Sequence, residues 1–277
     1  PGQAFISHLK SSGNIDKRLL NLADSYDGIS NIVKTSEHTK HAYQVKVAFS
    51  QSEETIAETS DRLGSIKVKL RDNKYIDLSF KEDDVQSRLN TLMPKRPELK
   101  YIQTMLVAPL FMPNDKFNSI LIIGLGGGTI PKYYTDFYRS KRKVIVDIRP
   151  VLFDVATEYF DYVPDVNTVQ VPGDASIFLH KARVKEDRYD IINTDIFIEG
   201  PSDVQMNNYF WDNIAALLTP HGISVSNVWK GDHMDKYEKI LEFHKRCFKT
   251  VFEIVNSETS QVALYGSNLP FHLLVHN

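Results

Sequence analysis

Apolar positions change their spacing along this chain. Over residues 1–40 they cluster at helical intervals: Leu19, Leu20 and Leu22, then Ile29, Ile32 and Val33 after the turn-forming Ser25-Tyr26-Asp27-Gly28. This predicts a helical N-terminal extension. From His41 the period falls to two. Tyr43, Val45, Val47 and Phe49 alternate with polar neighbours, and the alternation returns over 66–70 and, beyond the turn Arg71-Asp72-Asn73-Lys74, over 75–80. Residues 41–112 are therefore expected to form a β-hairpin-rich domain. It would close on a helix over 98–110 carrying Tyr101, Met105 and Leu106, before Pro109, Pro113 and Asn114 mark a boundary. Over 113–277 short apolar runs at 119–123, 143–147, 168–171, 190–194 and 222–227 are separated by helical stretches such as 151–160 and 207–218. Such alternation predicts an α/β domain, a doubly wound and mostly parallel sheet. The β-patterned end, with Phe252, Ile254, Val262 and Leu264, would close it with antiparallel strands.

Composition narrows the function classes. Lys and Arg (33) nearly cancel Asp and Glu (35), giving a net charge of −2. Without a basic field to collect phosphate backbones, nucleic acid is not expected as the principal ligand. No apolar run reaches the roughly 20 residues that cross a bilayer, so no membrane partner is expected. The single Cys247 can form no internal disulfide, which points to a reducing, cytoplasmic compartment. The first residues lack the pattern of a signal peptide. Because they begin with Pro1, a longer native N-terminus is expected. The nine His residues include no pair at metal-ligand spacing, so no catalytic metal is expected.

Candidate chemistry gathers at strand ends. Ile122-Ile123-Gly124-Leu125-Gly126-Gly127-Gly128-Thr129 ends one strand and opens a helix. Glycines there permit a tight turn and close approach of backbone to a ligand, and the helix start presents free N–H groups. A crowded strand-to-helix turn needs the same residues. The next strand ends in Asp147, where a carboxylate accepts ribose hydroxyls or caps the turn at Pro150. In Val171-Pro172-Gly173-Asp174-Ala175, Asp174 can meet an adenine amine, with Gly173 keeping the backbone clear of the ring, or can N-cap the helix from Ser176. Tyr189-Asp190-Ile191-Ile192-Asn193-Thr194-Asp195 brings Asp195 to the carboxyl edge, where ligands of open α/β sheets bind, or to backbone amides of a loop.

These four segments resemble the class I AdoMet-dependent methyltransferase-like fold, a Rossmann-like sheet, and more closely the spermidine synthase (polyamine aminopropyltransferase) family. The likeness starts near Glu58. It includes Thr59-Ser60 and Gly64-Ser65-Ile66-Lys67-Val68 as an opening hairpin, Gln86-Ser87 as a gatekeeping segment, Tyr101 and Pro109, and then the four segments in order. The resemblance implies that Asp147 binds ribose, that Asp174 with Gly173 meets adenine, and that Gly124, Gly126, Gly127 and Gly128 cradle the rest of the nucleoside. Gln86 would border the amino-acid or aminopropyl arm. Asp195, beside the nucleoside, would act with Tyr101 to hold and deprotonate an acceptor amine, which attacks the carbon next to the sulfonium. The co-substrate implied is S-adenosylmethionine or its decarboxylated form, with a small-molecule acceptor. The family also implies a homodimer through N-terminal sheets.

Departures from the family pattern bear on the activity. Gly127 stands where spermidine synthases carry an acid for the donor's terminal amine. Ile198, with Glu199 beside it, replaces a second acid for the diamine; Ile102 and Gln103 replace a Gln and a Glu, and Ser257 a Tyr. Each missing partner for a buried ammonium costs several kcal/mol, on the order of a hundredfold in affinity. Putrescine is thus a poor candidate acceptor. With no loop acid to repel a carboxylate, intact AdoMet is the favoured donor and methyl transfer the favoured reaction. The alternative is aminopropyl transfer to an atypical amine. A third reading is a catalytically silent binding module, its cleft plugged by Ile102, Phe197 and Ile198. A dehydrogenase ranks below these, because it leaves Asp174 and Asp195 unexplained. Gly231-Asp232-His233-Met234-Asp235 and Trp229 can reach an acceptor pocket or serve as loop and packing, and Lys245-Arg246-Lys249 reads as the polar face of a surface helix.

Overall fold

The computed structural model describes residues 29–34, 45–49, 52–82, 84–112, 117–139, 141–196, 203–231, 233–256, 258–270 and 274. Leu19, Leu20, Leu22, His41, Tyr43, Pro113, Asn114, Phe197, Ile198, Glu199, Asp232 and Ser257 lie outside them. The chain divides into two compact units, Pro1–Glu54 with Leu70–Lys74, and Thr55–Lys69 with Tyr75–Asn277.

In the first unit, β1 (Ile29–Lys34) pairs antiparallel with β2 (Val45–Phe49). Ile29, Ile32 and Val33 were expected on a helix, and the structure corrects this. Three β-branched side chains in five residues lose rotamer freedom in a helix and favour an extended chain. β2 is the strand its alternation predicts.

The second unit holds most of a four-stranded sheet in the order β3 (Glu53–Asp61), β4 (Gly64–Arg71), β5 (Tyr75–Ser79), β6 (Ser87–Asn90). The predicted helix over 98–110 is shorter: α1 covers Lys100–Met105, and a 3-10 turn, Ala108–Phe111, follows. Pro109 lacks the N–H that an α-helix would need there.

Beyond it lies the expected doubly wound α/β architecture. β7 (Ser119–Ile123), α2 (Thr129–Phe137), β8 (Arg142–Asp147), α3 (Val151–Tyr159), β9 (Thr168–Pro172), α4 (Ala175–Val184), β10 (Tyr189–Thr194), α5 (Asn208–Leu217), β11 (Leu218–Trp229), α6 (Met234–Cys247), β12 (Thr250–Val255) and β13 (Gln261–Ser267) follow in turn. The seven strands order as β12-β13-β11-β10-β7-β8-β9. From β11 to β9 neighbouring strands are parallel; β13 and β12 are antiparallel, as their patterning predicts. Strands covered on both faces read as apolar runs, and Ile120, Leu121 and Ile122 are fully buried. One face packs against α2 and α3 through Ile122, Ile145, Ile191, Tyr134 and Leu152. The other packs against α4, α5 and α6 through Ile123, Ile192, Leu179, Trp211 and Ile240. The chain winds outward in one direction from β7 and in the other from β10, and these two strands are neighbours. Their carboxyl ends form the switch point at which open α/β sheets bind ligands.

Candidate active site

A cleft of about 330 Å³ opens at that point. Gln86, Tyr101, Gly124, Gly126, Asp147, Gly173, Asp174 and Asp195 all line it. Gly127 and Gly128 lie in the adjoining loop and do not line the cleft wall.

The glycine run connects β7 to α2, with Gly124, Gly126 and Gly128 at positive φ. The sequence leaves it a ligand-facing loop or a crowded strand-to-helix turn, and its glycines pack closely on other parts of the protein. A Cβ on Gly124 would sit 2.0 Å from the Asp195 carbonyl oxygen, and one on Gly127 2.8 Å from the Phe160 ring. Asp195 is thus held against the loop by its backbone, and its N–H donates to Ile123 at 2.8 Å. Any side chain at position 127 would require Phe160 or Ser87 to shift.

Asp147 ends β8 and is only 8% exposed. Its Oδ2 accepts the Leu125 N–H at 2.7 Å and its Oδ1 the Arg149 N–H at 2.8 Å. Burial raises its pKa, against the pull of those amides and the Arg149 charge. The carboxylate therefore ties the second strand to the glycine loop while facing the cleft. Asp174 N-caps α4, its Oδ1 accepting from Ser176 at 2.8 Å and Ile177 at 3.1 Å. Both readings of Asp174 are geometrically compatible, because one carboxylate oxygen takes both cap bonds and the residue still lines the cleft.

On the far side, Asp195 Oδ2 accepts the Tyr101 hydroxyl at 3.3 Å and Oδ1 accepts Asn227 Nδ2 at 2.9 Å. Burial pushes the Asp195 carboxyl up to about 6, and those two hydrogen bonds oppose it. The partly buried Tyr101 phenol lies well above its usual range, first from desolvation, then from the charges of Asp195 and Asp84. Its hydroxyl also approaches the Gln86 carbonyl, 3.4 Å away. A carboxyl that ionises near neutrality beside a neutral phenol can take a proton from a bound nucleophile or hold a cation. Asp190, at the other end of β10, accepts from Asn118, Ser119 and Thr219, a structural clamp.

Sequence reasoning missed several lining residues. Asp84 accepts a hydrogen bond from Gln86 Nε2 and brings a second carboxylate toward Tyr101. Arg149, 4% exposed, makes paired bonds to Asp61 at 2.8 and 3.0 Å, a bond to the Gly64 carbonyl at 2.7 Å, and stacks on Phe80. Asn227, Thr259 and Gln261 complete the acceptor side with Trp229, which is here a lining residue. Gly231, His233, Met234 and Asp235 do not line the cleft, and Ile102 forms part of its wall without filling it. Asp84 sits in the charged run Lys81-Glu82-Asp83-Asp84 and carried no recognisable signal; Asn227, at the end of a predicted strand like Asp195, did.

No protein-family model matches the chain. It is 32% identical over 159 residues to a polyamine aminopropyltransferase of Vibrio vulnificus (strain CMCP6), covering 57% of this chain and 50% of that protein. It is 25% identical over 159 residues to an eEF1A lysine and N-terminal methyltransferase of Xenopus laevis, covering 54% of this chain and 23% of that protein. The chain thus spans half the length or less of these relatives. Among solved structures, a probable spermidine synthase from Corynebacterium glutamicum ATCC 13032 superposes with a TM-score of 0.69 at 17% identity, covering 78% of this chain and 81% of that one. Human methyltransferase-like protein 13 in complex with SAH gives 0.58 at 19% identity, covering 62% and 84%. The chain thus has the Rossmann-like fold of these solved structures, and its sequence likeness runs to both a polyamine aminopropyltransferase and a methyltransferase.

Proposed function

We propose that this protein transfers a group from an adenosyl sulfonium nucleoside to a nucleophilic acceptor, with AdoMet as donor and a methyl group as the favoured cargo. What supports the reading is one observation: Asp147, Asp174, the glycine loop and the Tyr101–Asp195 pair share a single open cleft at the switch point. In this reading Asp147 grips the ribose and Asp174 the adenine amine. Gly173, Gly124 and Gly126 shape the nucleoside wall, and Gln86 borders the methionine arm. Asp195 takes the proton of the acceptor while Tyr101 orients its carboxylate. Among the described residues Ile102 lines the cleft beside Asp195 without filling it, which supports an enzyme over a silent binding module.

Aminopropyl transfer from decarboxylated AdoMet is the second reading, and Asp84 favours it. A second carboxylate near Tyr101 suits an additional ammonium, on the donor arm or on an amine acceptor, and offsets part of what Gly127 and Ile198 lack. In both readings the acceptor is small, the compartment is cytoplasmic, and a second copy pairs through the N-terminal strands. Incubating the protein with each donor and a panel of amines, then weighing the products, separates the readings: a methyl adduct supports the first and an aminopropyl adduct the second. Failure to bind either donor, or 5′-methylthioadenosine, in calorimetry overturns both.

A further inference from the structure

The segment joining β5 to β6 touches the two halves of the cleft at once. Ser87, 6% exposed, is the first residue of β6, and its Oγ accepts the buried Gly127 N–H at 2.8 Å. The contact is close enough to demand glycine in the loop. A Cβ on Gly126 would lie 2.7 Å from Ser87 Oγ, and one on Gly127 2.9 Å from Ser87 Cβ. One residue earlier, the Gln86 carbonyl faces the Tyr101 hydroxyl, which donates to Asp195. The Gln86 N–H donates to Leu78 at 2.8 Å, so this dipeptide is fixed to β5 as well.

An amide in a glycine-rich turn ahead of a helix is a donor usually free for a ligand. Here a side chain from another sheet takes it. Ser87 therefore fixes where the loop stands, and it does so from a segment that also contacts the acceptor-side phenol. We infer that Ser87 is a positioning residue, a latch through which the donor loop and the Tyr101–Asp195 pair are coupled. The inference rests on the proposed function for what the loop binds, but the latch itself is a property of the free protein.

The test is Ser87→Ala, read by hydrogen exchange and calorimetry. Removing the acceptor leaves the Gly127 N–H buried and unpaired, a loss on the order of tenfold in local protection and in affinity for 5′-methylthioadenosine. Exchange over 124–130 should quicken in the free variant, while exchange in β8 and β11 stays unchanged. In the wild type, 5′-methylthioadenosine should slow exchange over both 124–130 and 100–105. In the variant it should slow only the first. Gly127→Ala, which drives a methyl against Phe160 and Ser87, should uncouple the two segments from the loop side. Protection of 100–105 by the nucleoside that persists in Ser87→Ala overturns the coupling, and so does unaltered free-protein exchange over 124–130. A wild type that binds no adenosyl nucleoside sinks the functional reading instead, and the latch is then judged on free-protein exchange alone.

Discussion

Replacing Asp195 with Asn separates what the residue does for chemistry from what it costs the fold. Burial raises its carboxyl from the ordinary 3.8 to about 6. Such a group keeps its proton in the folded state at pH values where the unfolded chain has released it. Its contribution to stability is therefore intact below about pH 4 and is lost as pH rises through about 6. The difference of about two units corresponds to up to ~3 kcal/mol above that pH. Asn escapes this cost and still accepts from Asn227 through Oδ1, but it gives up the carboxylate oxygen that Tyr101 donates to, worth about 1 kcal/mol. Asp195→Asn should therefore be more stable than wild type by about 2 kcal/mol near pH 7.5 and slightly less stable, by up to about 1 kcal/mol, near pH 4. Urea unfolding at both pH values reads this directly. Turnover should follow the opposite course: in the wild type it rises with pH through about 6, and in the variant it is near zero throughout. A stability gain that is flat with pH, or shrinks as pH rises, refutes the burial argument; retained turnover removes Asp195 from its proposed role.

Three further substitutions probe separate parts of the cleft. Asp174→Ser preserves an N-cap, so thermal stability should move by less than about 0.5 kcal/mol, while affinity for 5′-methylthioadenosine falls about tenfold in calorimetry; an unchanged affinity assigns Asp174 to capping alone. Asp84→Asn should weaken binding of AdoMet or decarboxylated AdoMet about fivefold without affecting 5′-methylthioadenosine, which has no ammonium group; equal losses on all three would remove Asp84 from ammonium recognition. Asp61→Ala leaves the Arg149 guanidinium, among the described residues, with the Gly64 carbonyl and the Phe80 face. It should cost about 2 kcal/mol in urea unfolding near neutral pH, discounted because Asp61 is partly solvated. Arg149 holds the Asp61 carboxyl below its ordinary 3.8. The stability this pair supplies is thus present above about pH 4 and lost as pH falls below it, and the gap between wild type and variant should close there.

What could be read from the residues follows from which physical force each element answers to. β7, β8 and β10 are sandwiched between helices, so their apolar runs mark them almost to the residue. β3 has no periodicity of its own, and only the family resemblance points to a hairpin at Thr59-Ser60. Its sequence Glu-Glu-Thr-Ile-Ala-Glu-Thr-Ser-Asp lies at a sheet edge with most side chains exposed, so no burial pattern is written into it. β11 begins earlier than its apolar run, at Leu218. The ladder with β10 skips between Tyr189 and Ile191, and Pro220 and His221 fall in that irregular part. Ile29, Ile32 and Val33 fit helical spacing, but their β-branched shape outweighed periodicity over so short a stretch.

The glycine run shows a different kind of limit. A pattern of glycines records that backbone must come close to something; it does not record to what. At Gly124 the neighbour is the Asp195 backbone, at Gly127 it is Phe160 and Ser87, and at Gly128 it is the Tyr162 ring. All of these are distant in sequence, so the letters leave both the turn reading and the ligand reading open. What favours the proposed ligand reading is Asp147, because its carboxylate reaches back to the Leu125 amide while lining the cleft. A loop packed only for its own sake has no need of a carboxylate buried to 8% exposure, where desolvation raises its pKa, when solvent or a peptide carbonyl elsewhere would be less costly. Keeping that acid beside an open cleft makes physical sense if a ligand's hydroxyls complete its hydrogen bonds. The tight packing of the glycines fits the proposed function: it holds the loop, Asp147 and Asp195 in fixed relation, the arrangement that a nucleoside held by one acid and reacting beside the other would require.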